Sequence, residues 1–219
     1  MRNHGSILGI LMALLPALVT AGHAETLARK TTHMVFDIIR QGDKIGTNSV
    51  DIDKQGDTTK VRIETSIHVK VMFIEAYRYE HVCDETWKGE QLIAFASKTD
   101  DNGTPHRITF SMAGDRPSLD VDGTRKDVPK DIVPASLWSR TLLHRPDWFN
   151  PANGQSLRIA FHDLGEDQVQ IHGAAVKAHH YKISAQGSAF DRDLWFDGDN
   201  VLRIQLQGSD NSTIISDRR

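Results

Sequence analysis

One cysteine, Cys83, is all that 219 residues contain, so no intramolecular disulfide can form and stability must come from packing. A lone cysteine in an apolar stretch reads as a small buried hydrophobe, with a reactive thiol as the alternative. The chain also lacks a basic stripe. Its 26 Lys and Arg are set against 29 Asp and Glu without long blocks of one sign, which excludes nucleic acid as a partner and disfavours acidic lipid headgroups. No Gly-x-Ser-x-Gly, His-Glu-x-x-His, His-x-His or Cys-x-x-Cys spacing occurs, so no nucleophile elbow or local metal site is present and no cofactor is implied. The adjacent His179 and His180 would point to opposite faces of a strand. Asp197-Gly198-Asp199-Asn200 has a calcium-like composition but neither the length nor the closing acid of a binding loop, and reads as a hairpin turn.

The longest apolar run, Ile7 to Val19, is shorter than the roughly 20 residues of a membrane-spanning helix. It follows Arg2 and precedes Ala21-Gly22-His23-Ala24, the order of a secretory signal peptide cut after Ala24. The cut leaves residues 25–219 as a single domain, and no cysteine near it could carry acyl chains. A soluble periplasmic protein without a stable membrane anchor is expected.

What is abundant is alternation. Val61, Ile63, Thr65, Ile67, Val69 and Val71 share one side of an extended segment whose other side is polar, the mark of a strand with one wet face. Segments of this kind are separated by turn signals: Gln41-Gly42, Gln55-Gly56, Lys88-Gly89, Asn102-Gly103, Asp122-Gly123, Gly165-Glu166-Asp167, Gly173, Gln186-Gly187 and Gly208 to Asn211. Twelve or thirteen short strands result. The expected fold class is all-β and mainly antiparallel, a curled meander sheet forming a half-barrel or barrel. One stretch breaks the rhythm. Asp127 to Asn153 carries Pro129, Pro134, Pro146 and Pro151 with Trp138, Trp148 and Phe149, and its one expected helix spans about Ala135 to Leu143. This insertion reads either as a packed crossover or as a plug over one end of the sheet.

The candidate site is the row Tyr77, Tyr79, His81, Cys83, Glu85 and Trp87, which alternation places on one face. A face mixing ring area with polar tips suits an apolar or amphipathic small molecule, with Tyr77, Tyr79, His81, Glu85, Trp87 and Trp138 as its binding residues. Three readings stay open: a ligand site beneath the Trp138 segment, a cofactor-free enzyme using His81 and Glu85, and an envelope protein whose aromatic row is plain core.

The stretch Val69-Lys70-Val71-Met72-Phe73-Ile74-Glu75-Ala76-Tyr77-Arg78-Tyr79-Glu80-His81, followed by Glu85-x-Trp87, resembles an uncharacterised family of exported proteobacterial proteins, a domain of unknown function. Gly42-Asp43-Lys44-Ile45-Gly46, Lys98 to Gly103, Ser136-Leu137-Trp138 and Asp193-Leu194-Trp195-Phe196-Asp197 extend the resemblance over nearly the whole chain. More loosely, the pattern is similar to a second exported family whose fold is akin to periplasmic lipoprotein carriers. That likeness implies a sheet curled around an apolar cavity and a hydrophobic ligand; the same curled sheet also hosts a small biosynthetic enzyme. Intact-mass analysis of protein recovered from the periplasm should give a chain beginning within a few residues of Glu25, whereas a full-length cytoplasmic product would remove the basis for export.

Overall fold

A computed structural model describes residues 28–114, 116–208 and 210–219; the signal segment expected at residues 1–24 lies outside them. The first part is a meander of eight strands: β1 (Arg29–Arg40), β2 (Asp43–Gln55), β3 (Thr58–Val71), β4 (Ile74–Lys88), β5 (Gln91–Asp101), β6 (Thr104–Ala113), β7 (Arg116–Val121) and β8 (Thr124–Asp127). A crossover follows with β9 (Val133–Pro134), a 3-10 turn at Arg140–His144 and β10 (Asp147–Phe149). The second part comprises β11 (Ser156–Ile171), β12 (Ala174–Ala185), β13 (Asp191–Asp197), β14 (Asn200–Gln207) and β15 (Thr213–Arg218). All fifteen strands join one sheet in the order β8-β7-β6-β5-β4-β3-β2-β1-β15-β14-β13-β12-β11-β10-β9. The first and last strands meet in it, with Phe36 opposite Arg218 and Ile38 opposite Ser216. Every pairing is antiparallel except β9 with β10. The all-β, meandering antiparallel fold expected from the sequence is the fold observed.

Laid flat, fifteen strands would span about 70 Å, since neighbours lie roughly 4.8 Å apart. The sheet instead curls around the crossover. Phe149 meets Phe95 of β5 edge to face at 5.0 Å, while Trp148 meets Phe190 before β13 at 6.4 Å and His144 meets Phe161 of β11 at 5.0 Å. Residues of both meanders and of the crossover therefore share one core, including Phe36, Val61, Trp87, Ile108, Leu143, Trp148, Ile183 and Leu194. Burying that face supplies the main driving force for the fold. The crossover is fastened at its far end as well. Gly154, at φ +70, lies so close to β7 that a Cβ there would meet Val121 Cγ2 at 2.3 Å, and Lys126 Nζ donates to the Gly154 carbonyl. Among the described residues no helix is long and apolar enough to cross a membrane.

Two local expectations need correction. The helix expected over Ala135 to Leu143 is replaced by an extended segment and the 3-10 turn at Arg140–His144. Pairing decides this: Ala135 N donates to the Phe149 carbonyl, and Leu137 takes φ +59, which a right-handed helix cannot accommodate. Likewise Gly165-Glu166-Asp167 is no turn. Gly165, at φ +83, makes a bulge inside β11 that leaves Leu164 without a partner and bends the hairpin.

That bend produces a second core. β12 pairs with β13 only from His179 to Ser184, so the rest of the β11–β12 hairpin is free to fold over the sheet's other face. Val169, Ile171, Ala178 and Trp195 are buried there. Arg203 of β14 ties the arm down, bonding Asp217 at 2.5 and 2.6 Å and the Gln170 carbonyl at 2.5 Å. The Asp217 side chain is only 5 % exposed. Replacing Asp217 with Ala leaves a half-buried guanidinium without its carboxylate, and urea denaturation should show a loss of about 2–4 kcal/mol; a loss under ~1 kcal/mol would mean that the arm does not depend on this pair.

Candidate functional site

Alternation along β4 puts Tyr77, Tyr79, His81, Cys83, Glu85 and Trp87 on the inner face, as expected, and their burial increases along the strand. At the closed end, Glu85 Oε2 accepts from Trp87 Nε1 at 2.7 Å and from Trp138 Nε1 at 2.9 Å. The two indoles pack edge to face with centroids 6.1 Å apart. Glu85 is 2 % exposed and its Oε1 has no hydrogen-bond partner. Burial therefore raises its pKa to about 6, although Ser136 and the two indoles pull it down. The Ser136 hydroxyl lies near enough to act on the carboxyl, but its own hydrogen bond runs to the Pro134 carbonyl at 3.5 Å. Space beside Trp138 amounts to about 50 Å³, room for water rather than for a ligand.

Farther along, Cys83 is a buried free thiol whose pKa is pushed well up by burial and then by Glu85. Its neighbour across the ladder, Ser97, donates to the Pro151 carbonyl at 2.8 Å, so the end of the crossover rests at this level. Next comes His81, hydrogen-bonded through Nδ1 to Thr99 Oγ1 at 2.9 Å and stacked on Tyr79 with centroids 6.2 Å apart. Burial lowers its pKa to about 4, which keeps it neutral at physiological pH. Tyr77 ends the row and donates to Asp101 Oδ1 at 2.8 Å. Desolvation raises the phenols of both Tyr77 and Tyr79.

Beyond Tyr79 the inner face opens into a cavity of about 500 Å³. Ile45, Ile67, Val69, Tyr77 and Ile214 contribute its apolar wall. Its rim is polar: Arg40 bonds Ser212 Oγ at 2.9 Å and also Asp210, whose pKa falls to about 2 chiefly through hydrogen bonding by Ser212. Two other grooves, of about 430 and 490 Å³, run along the sheet's polar outer face past Ser49, Glu64 and Lys98 and past His33, Asp51 and Arg62. Most of the residues along them are polar or charged, and the second is lined by exposed ion pairs.

The structure thus divides the sequence-predicted site. Glu85, Trp87 and Trp138 form one packed cluster; Tyr79 and His81 form a second; Tyr77 alone reaches the large opening. His81 and Glu85 stand four residues apart, about 13 Å along an extended strand, and each has its own partners, so they do not form a dyad. The sequence reading missed Arg40, Ile45, Ile67, Val69, Asp101 and Ile214. Its available signal was strand length, because the β3–β4 hairpin is among the longest in the chain and its far end outruns the core. His179 and His180 do face opposite ways, the first between Asp163 and Glu166, the second between Asp193 and Asp167. Neighbouring carboxylates raise His179, and no group among the described residues has the geometry of a metal site.

The shifts on His81 and Glu85 have opposite signs in stability. His81 falls from 6.5 to about 4 on folding, so its contribution is complete above pH 6.5 and is lost as pH falls toward 4, about 3 kcal/mol in all. Glu85 rises from 4.5 to about 6, so folding is favoured below pH 4.5 and about 2 kcal/mol is lost as pH rises through 6. Relative to the wild type, His81→Gln should lower stability at pH 7 compared with pH 4.5, and Glu85→Gln should do the reverse. Urea titrations at the two pH values measure both differences; equal pH dependence in all three proteins would place neither group in a desolvated site.

Comparison with known proteins returns likeness of sequence family and of fold. A crystal structure described as a beta-barrel-like protein of the domain of unknown function DUF1849, from Brucella abortus, superposes with a TM-score of 0.56 over 89% of this chain and 98% of that one, at 7% identity. At that identity the likeness concerns the fold alone. Comparison with curated proteins gives no match. The family model described as a domain of unknown function, DUF6134, matches residues 36–219, which takes in the curled sheet from Phe36 within β1 to the end of β15, and the chain belongs to that family.

Proposed function

We propose that the protein binds an apolar or amphipathic small molecule, such as a lipid or acyl chain, at the open end of the curled sheet. The observation that carries this reading is the cavity of about 500 Å³, with Ile45, Ile67, Val69 and Ile214 in its wall and the Arg40–Asp210–Ser212 group on its rim. An apolar wall with a few convergent polar groups is the usual lining of a small-molecule site, and volumes of roughly 300–1,000 Å³ are typical. The acyl portion would lie against the isoleucines and the head at the rim. The signal-like N-terminus, with its short apolar run after Arg2, supports a periplasmic place of action. The packed crossover taken alone suits a structural envelope protein equally well; the opening beyond Tyr79 is what favours binding.

A dansyl-labelled fatty acid tests the proposal by its fluorescence on titration with the protein. Ile214→Trp narrows the cavity from a half-buried position, so affinity should fall roughly tenfold, ~1.4 kcal/mol, with the thermal midpoint nearly unchanged. Absence of probe binding to the wild type, or equal affinity in the two proteins, would refute the cavity as a ligand site.

A further inference from the structure

Several hairpins of this protein close with the same two-residue turn. Gln41-Gly42, Asn102-Gly103, Asp122-Gly123 and His172-Gly173 each place both residues at positive φ, with glycine second at φ +90, +88, +87 and +81. Such turns match the twist of the strands they join, and glycine at the second position avoids the clash of a Cβ. The β3–β4 hairpin has the same backbone without the glycine. Met72 lies at φ +47 and Phe73 at φ +71, a conformation that bulky residues rarely adopt. The side chains so held point into solvent: Met72 is 85 % exposed, Phe73 101 % and Ile74 71 %. Strain and exposure of apolar surface, two separate penalties, fall on one tip. Nothing in the fold requires either, because an Asn-Gly turn would close this hairpin as it closes β5–β6.

The tip is also continuous with the cavity. Val69 and Tyr77, on the two strands just behind it, form part of the cavity wall. Lys70 stands exposed two residues before the turn, opposite Glu75, and Arg78 stands exposed five residues after it, 3.5 Å from Glu80. We infer that the Met72-Phe73-Ile74 tip inserts into the surface of a phospholipid bilayer and sets the cavity mouth against it, so that an amphipathic ligand can pass between membrane and cavity without crossing water. A protein partner fits less well. A stable protein interface takes about 800 Å² from each side, and a convex two-residue turn offers a small fraction of that. A bilayer accepts a convex tip. The hairpin carries its strand hydrogen bonds with it, so few unpaired backbone groups enter the apolar phase, and Lys70, in the ladder row next to the tip, is placed for its long side chain to reach headgroup phosphates. With a formal net charge of −3, the chain gains little from anionic lipid, so zwitterionic membranes should suffice.

The purpose of this contact rests on the cavity reading, but its test does not. The full chain is mixed with phosphatidylcholine vesicles and the bound fraction is read by flotation, beside the double variant Met72→Asn/Phe73→Gly, which installs the turn used by the other hairpins. The wild type should float with the vesicles with little dependence on salt. The variant should bind at least tenfold more weakly, while its thermal midpoint stays equal or rises and its affinity for the dansyl fatty acid in vesicle-free solution is unchanged. Failure of the wild type to float, or equal flotation of the two proteins, overturns the inference. So does vesicle-free dimerisation of the wild type that the variant abolishes, because the tip would then be covered by a second copy. Loss of probe binding in both proteins with flotation intact defeats the cavity reading and leaves the membrane contact standing.

Discussion

Everything in this fold depends on giving one very wide apolar face something to close upon. A sheet of fifteen strands cannot bury its inner side by twisting alone, and its two meanders have few contacts with each other except along the β1–β15 seam. The crossover between β8 and β11 supplies the missing surface. It contributes Trp138 to β4, Phe149 to β5, and His144, Trp148 and Arg140 to the second meander, so removal of its aromatic groups would leave both halves without a partner. The β1–β15 pairing then locks the first and last strands into the middle of the sheet, where neither is an edge.

Glu85 belongs to the same device. Two indole N–H groups are buried at the junction of crossover and sheet, and each needs an acceptor. One carboxyl oxygen serves both, which fixes the position of Trp138 on β4 at the cost of desolvating the acid and leaving its other oxygen without a bond. A raised pKa here is therefore the by-product of a structural joint, and it does not by itself mark an acid for catalysis. Perturbed titration also accompanies structural networks, and access to substrate separates the two cases. Glu85 has no such access, whereas the rim residue Arg40 does.

Much of the fold was legible because its determinants are local. The alternation from Val61 to Val71 specifies β3, the Asn102-Gly103 and Asp122-Gly123 turns specify their hairpins, and the row from Tyr77 to Trp87 shares a face as period two requires. What escaped the sequence reading is non-local. Ala135 to Leu143 has acceptable helical composition, but the pairing of Val133-Pro134 with Trp148-Phe149 commits the backbone to extension before a helix can start. Gly165 followed by two acids looks like a turn, and only the partner strand shows that it is a bulge in a continuous ladder. The site was legible in the same degree. Tyr77, His81 and Glu85 were identifiable as inward-facing, but the residue types of the row do not mark where the filling stops; only strand length does.

That stopping point follows from lengths. β3 and β4 run 14 and 15 residues, or roughly 50 Å at about 3.3 Å per residue, while the crossover is tethered at Trp138 over Glu85 and at Pro151 over Ser97. Its tethers allow it to cover Trp87, Glu85 and Cys83. From Tyr79 outward no tethered segment among the described residues covers the hairpin, although Ile67, Val69 and Tyr77 continue the inward apolar pattern there. A chain selected only for a filled core would have shorter strands at this end, or polar residues at those three positions. Keeping both the length and the apolar pattern produces an open apolar cavity whose rim carries the Arg40–Asp210 pair and whose outermost hairpin ends in Met72 and Phe73. The filled half holds the sheet in its curl, and a rigid curl is what allows the other half to stay open without collapsing.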